Sequence, residues 1–130
     1  MNWQPASDIT SRIHFLVKNL DLDFINPDYI YCFRSTGSSG RAIARIWSLP
    51  TIWQLALNVP GGYCLEVISE KFDKQTLEQQ EHTLIHELLH IPHTFSGALV
   101  PHRTAKHRTY RHYHDTVETL FRSLSKRSYE

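Results

Sequence analysis

A chain of 130 residues with 41% hydrophobic and 12% aromatic side chains can bury one core, which excludes an intrinsically disordered chain. Its net charge of +1 excludes a global field built for nucleic acid or a membrane surface. No apolar run is long enough for a membrane span, so no membrane partner is expected.

In chain order, Ser7 or Asp8 is placed to cap a first helix whose apolar face is Ile9, Ile13, Leu16, Val17 and Leu20. Asn26-Pro27-Asp28 signals a turn. The aromatic and branched run at 29–33 predicts a strand. The Ser/Gly-rich stretch 35–40 reads as a loop, with a hairpin connection as one option, leading to a second strand over 41–47. Residues 51–57 fit either a short helix or a strand. Pro60-Gly61-Gly62 is a turn, and 63–68 is the clearest strand. Asp73 suits the N-cap of a central helix, with Phe72 and Leu77 as a hydrophobic staple. Leu77, Leu84, Leu88 and Ile91 continue its apolar stripe, and Pro92 disfavours helix at Ile91 and so ends it. A loop over 92–103 leads to a last helix with Tyr110, Tyr113, Val117, Leu120, Phe121 and Leu124 on one face. The expected class is α+β: a small antiparallel or mixed sheet against a central helix, backed by a C-terminal helix. One domain is expected to span residues 1–130.

Cys32 and Cys64 are distant and form no CxxC. Buried free thiols are the expected state, with a disulfide between neighbouring strands as the other reading. The N-terminal MNWQPASDIT lacks the basic-then-apolar pattern of a secretion signal, so the cytoplasm is the expected compartment.

Nine histidines are present, eight of them at or after position 82. His86 and His90 stand four apart, so on a helix their rings project from one face and can reach one zinc ion. Glu87 lies on the adjoining face, suited to act on a water rather than on the metal. An HExxH match has only three fixed letters, and a histidine-rich chain can carry one by chance. Its register with the apolar stripe and its end at a proline turn favour the metal reading. A catalytic zinc needs a third protein ligand and an open fourth position. Glycine at 93 and histidine at 96 would make a compact metzincin arrangement, but those positions are His93 and Ser96. His102, at the end of the loop, and Glu118, on the last helix, both remain candidates. Arg103, Lys106, Arg108 and Arg111 form an acid-free segment, read first as a solvated face and second as a rim for an acidic substrate or a nucleic-acid backbone.

The run HELLHIPHTFSGALVPH (residues 86–102), with similar stretches at 41–47, 52–57 and 66–73, resembles the phage-type metallopeptidases. Among wider relatives, that resemblance points to the minigluzincins and SprT-like proteases. It implies a minimal zincin fold, zinc as cofactor, and a peptide or protein as substrate. The shared Pro101-His102 favours His102 as third ligand. Glu118, paired with His114 at i, i+4, would then orient a metal-binding imidazole. The implied activity is peptide hydrolysis, with Glu87 as general base, His86, His90 and His102 as ligands, and Tyr110 or Tyr113 stabilising the oxyanion. A non-catalytic zinc-stabilised module for a protein or nucleic-acid partner is the alternative, and a metal-dependent nuclease a third reading.

Overall fold

The computed structural model describes residues 1–101 and 116–124. Its first element is β1, Asn2–Pro5, a short strand that the sequence reading missed. Four residues containing a proline carry little strand signal, and only pairing with a longer strand makes them one. Helix α1, Ser7–Asn19, follows. Ala6 rather than Ser7 or Asp8 stands at its N-cap, and no side chain caps it. Asp8 instead accepts from Arg34 Nη1 at 2.6 Å, which draws its carboxyl below the usual range. The expected apolar face is correct: Ile9, Ile13, Leu16, Val17 and Leu20 are all buried.

A 3-10 turn at Pro27–Tyr29, with Asn26 Oδ1 accepting from the Asp28 N–H, leads into β2, Ile30–Thr36. Strand β3 is Ala44–Trp47, helix α2 is Thr51–Leu57, and strand β4 is Tyr63–Ile68. The sheet order is β1-β2-β4-β3. β2 runs parallel to β4, while β1 and β3 are antiparallel to their neighbours. The sheet is therefore mixed. The 35–40 region is not a hairpin, because β4 lies between β2 and β3. The cause is apolarity: Leu65, Val67 and Ile68 of β4 are wholly buried, so this strand takes an interior place and leaves β3 at an edge.

Burial and register separate the two faces of the sheet. Ile30, Cys32, Ala44, Tyr63, Leu65 and Val67 join the core with α1 and the central helix α4, Leu77–Leu88. Arg45, Trp47 and Glu66 lie on the opposite face, where the buried Glu66 carboxylate accepts from Ser35 Oγ at 2.5 Å and Trp47 Nε1 at 3.0 Å. Cys32 is buried and Cys64 half-buried, both as free thiols. Burial pushes the Cys32 thiol up to about 11, far from the reactive thiolate range.

The start of α4 departs from expectation. Asp73 ends a one-turn helix, α3, Ser69–Phe72, and its carboxylate takes Arg34. Thr76 is the true N-cap, with Gln79 completing a reciprocal capping box. Leu77 is exposed, so there is no Phe72–Leu77 staple and the apolar stripe starts later. Leu84, Ile85 and Leu88 are fully buried, and each such side chain contributes roughly 1.5–3 kcal/mol. That burial, rather than the cap at about 1 kcal/mol, fixes the rotation of α4 about its axis. Regular helix stops at Leu88, and tighter bonds from His90 N–H to Glu87 O and from Ile91 N–H to Leu88 O close the last turn before Pro92.

Helical residues 116–124 bury Val117 and Leu124 in the core and meet α4 through Phe121, whose ring stacks on His82 at 4.1 Å. The sheet, the central helix and this backing helix make the α+β, zincin-like arrangement expected from the sequence. No helix among the described residues is long and apolar enough to cross a membrane.

Candidate metal centre

His86 and His90 project from the C-terminal end of α4, their ring centres 5.5 Å apart and their planes inclined at 75°. Two imidazoles sharing a tetrahedral ion at about 2.0–2.1 Å per nitrogen have ring centres roughly 5 Å apart, so these rings fit a shared ion. His90 Nδ1 lies 2.7 Å from the Val100 carbonyl oxygen. A carbonyl only accepts, so Nδ1 carries the proton and Nε2 is the acceptor-type nitrogen, the kind that ligates a metal. An oriented second nitrogen of this kind is the usual support of a metal-binding histidine.

Val100 holds His90 twice, since its own N–H also donates to the His90 carbonyl at 2.7 Å. The loop that delivers Val100 is fixed further back. Gly97 N–H donates to the Tyr63 hydroxyl at 2.9 Å, and that hydroxyl donates to the Ala98 carbonyl at 2.8 Å. Leu49 N–H donates to the Gly97 carbonyl at 2.8 Å. Gly97 has φ +93°, and a Cβ there would fall 2.4 Å from both the Leu49 carbonyl and Gln54 Nε2. Gly97→Ala should therefore destabilise the fold by about 1–3 kcal/mol and loosen the Val100–His90 pairing. Denaturant unfolding measures the first effect, and the His90 ring signals in an NMR spectrum report the second.

Glu87 is half-buried and faces the same cleft as His90. Desolvation pushes its carboxyl up to about 7. The cleft has a volume of about 530 Å³ and lies along the edge of β3 that no described strand pairs, lined by Arg45, Ile46, Trp47, Glu87, His90, Leu99, Val100 and Pro101. A carboxyl near neutrality, beside the two imidazoles and next to the β3 edge, can exchange a proton with a molecule bound in that cleft.

His102, His107, His112 and His114, with Tyr110 and Tyr113 and the basic run 103–111, lie outside the described residues. Glu118 is described. Its Oε1 lies 2.7 Å from His82 Nε2, one helical turn before His86, and its Oε2 is 3.9 Å from Arg122 Nε. His82 Nδ1 faces the Glu78 carbonyl at 2.9 Å. Both His82 nitrogens thus meet oxygen atoms, which fixes the ring between α4 and the backing helix. Among the described residues no three metal-ligating side chains converge. His93 packs its ring on Phe24 at 4.2 Å.

Several participants were not singled out from the sequence. His82 had a signal in its i, i−4 spacing from His86. The Val100 carbonyl and the Tyr63 hydroxyl had none, because main-chain groups and a loop's return path leave no mark on residue type.

A family model described as putative phage metallopeptidase matches residues 1–125. No curated protein and no solved structure matches the chain. The family match spans every element that builds the cleft, from β1 to the backing helix, and by this measure the chain belongs to the putative phage metallopeptidase family.

Proposed function

We propose that this chain is a zinc-dependent peptidase in which His86, His90 and His102 hold the metal and Glu87 is the general base. The observation that carries the reading is geometric: Glu87 and His90 line one cleft beside β3, and the His86 and His90 rings stand 5.5 Å apart. Zinc, when bound, supplies the Lewis acidity that makes water a nucleophile at neutral pH and polarises the scissile carbonyl. Glu87 takes the proton of the attacking water on a carboxylate oxygen and passes it to the departing amide nitrogen. A non-catalytic zinc module would have no use for a carboxyl facing the cleft beside its ligands.

The peptide binds as an added strand. The Ile43 carbonyl accepts from the Ile68 N–H, and the β3–β4 register pairs Arg45 with Glu66 and Trp47 with Cys64. In an antiparallel ladder that alternation turns the main-chain groups of Ala44 and Ile46 outward, to the edge that no described strand pairs. Extended peptides pair with such edges through main-chain hydrogen bonds.

Support for His102 over Glu118 comes from Val100 and His82. Val100 is tied to His90 by two hydrogen bonds, and His102 follows two residues later, a span of at most ~7 Å. Glu118 is already engaged by His82. His102→Ala should weaken zinc binding at least tenfold, and Glu118→Ala by less, within the 10–100-fold range of supporting residues. Zinc titration against a competing chelator measures both. Undiminished binding in His102→Ala with binding lost in Glu118→Ala would assign the ligand to Glu118. The activity itself is tested by incubating the zinc-loaded protein with an unfolded protein substrate such as casein. Cleavage that stops on chelation and returns with zinc is expected, and cleavage indifferent to the chelator would remove the metal from the mechanism.

A further inference from the structure

The edge of β3 that no described strand pairs carries a side-chain reading frame as well as main-chain groups. Ile46 points to the core side of the sheet, where it packs against the buried cluster and lines the cleft beside Glu87, His90, Leu99 and Val100. Its neighbour Trp47 points to the opposite face and is 46% exposed. The indole is held in place there. Its Nε1 donates to the buried Glu66 carboxylate at 3.0 Å, and Trp3 meets it edge-on with ring centres 6.0 Å apart at 64°.

We infer that this edge selects extended peptides in which an aliphatic residue is directly followed or preceded by an aromatic one. The inference rests on the peptidase reading only in using the same cleft. Side chains of a paired strand alternate between the two faces, whichever way the strand runs. The residue opposite Ile46 therefore points inward, to a wall made by Ile46, Leu99 and Val100, and an aliphatic side chain suits it. The residue opposite Trp47 points outward, beside a fixed indole that leaves a ring surface uncovered. Aromatic cross-strand partners favour that contact. Arg45, two residues earlier on the same outer face, adds little charge selection, because its guanidinium lies 3.6 Å from the buried Glu66 carboxylate.

The test uses two fluorescein-labelled ten-residue peptides, identical except for a central Val-Tyr in one and Val-Ser in the other, and a third with Ser-Tyr. Binding to zinc-loaded Glu87→Gln protein is followed by anisotropy, and cleavage by the unaltered protein is followed by mass spectrometry. The Val-Tyr peptide is expected to bind about fivefold more tightly than the Val-Ser peptide. Trp47→Thr should remove that tyrosine preference while keeping the preference for Val-Tyr over Ser-Tyr. Trp47→Phe, which keeps a ring but loses the hydrogen bond to Glu66, should restore it, which separates ring contact from strand placement. Equal binding of all three peptides, no binding of any, an unaltered tyrosine preference in Trp47→Thr, or no rescue by Trp47→Phe would overturn the inference. Selective binding without cleavage by the unaltered protein would leave the inference standing and remove the peptidase reading. Cleavage without sequence preference would do the reverse.

Discussion

Glu87→Gln is expected to retain zinc and the fold while losing about 10²–10⁴-fold in peptide hydrolysis, the range that a positioned general base contributes. The amide matches the carboxyl in shape, so the packing of α4 is undisturbed, but it cannot take a proton from water. Zinc content, circular dichroism and turnover of an unfolded substrate, measured on the same preparation, check the three parts. Turnover equal to that of the unaltered protein would remove Glu87 from the chemistry. The same substitution has a second expected effect in the metal-free protein. The folded Glu87 carboxyl lies at about 7, against 4.5 for the ordinary side chain. Between those values the folded chain binds more protons than the unfolded one. Stability is then highest below pH ~4.5 as far as this group is concerned and declines as pH rises toward ~7. Glu87→Gln should remove that part of the decline, which urea unfolding at several pH values in the presence of chelator will show.

The double substitution His86→Ala/His90→Ala should abolish stoichiometric zinc binding. Neither ring belongs to the buried cluster, so the loss should fall on the metal and not on the core. A ligand that binds only the folded state stabilises it by about 2.7 kcal/mol at a hundredfold excess over its Kd. Zinc should therefore raise the melting temperature of the unaltered chain and leave that of the double variant unchanged. Elemental analysis showing equal zinc in both proteins would place the metal elsewhere.

Thr76 and Asp73 show how local signals compete. Both are good capping residues at the start of one apolar periodic run. Only the packed structure assigns Asp73 to Arg34 and leaves Thr76 to cap, since Arg34 comes from a strand 39 positions away. The Thr76–Gln79 capping box is present in the sequence as a pattern, and the Phe72–Leu77 pair competes with it by pointing to Asp73. Leu77 proved to be exposed, because α4 meets the core only from Gln80 onward.

What the sequence by itself determined is what depends on neighbours within two helical turns or one strand. Period 3.6 buried Ile9, Ile13, Leu16 and Val17 in α1, and it buried Leu84 and Leu88 in α4. The four-residue step put the His86 and His90 rings side by side, and Glu87 beside them. The branched run at 63–68 formed β4. Other features depend on where distant segments meet. β4 entered between β2 and β3 because it is the strand most completely buried, and β3 was thereby left as the lip of the cleft. Glu118 met His82 because Val117 and Leu124 are buried in the core and Phe121 stacks on the His82 ring. The Val100 carbonyl reached His90 because Tyr63 and Leu49 pin the loop around Gly97, where any Cβ would collide with main chain. Residue type sets the chemistry available at each position. Chain path, which no local pattern encodes, sets which groups come within hydrogen-bonding reach.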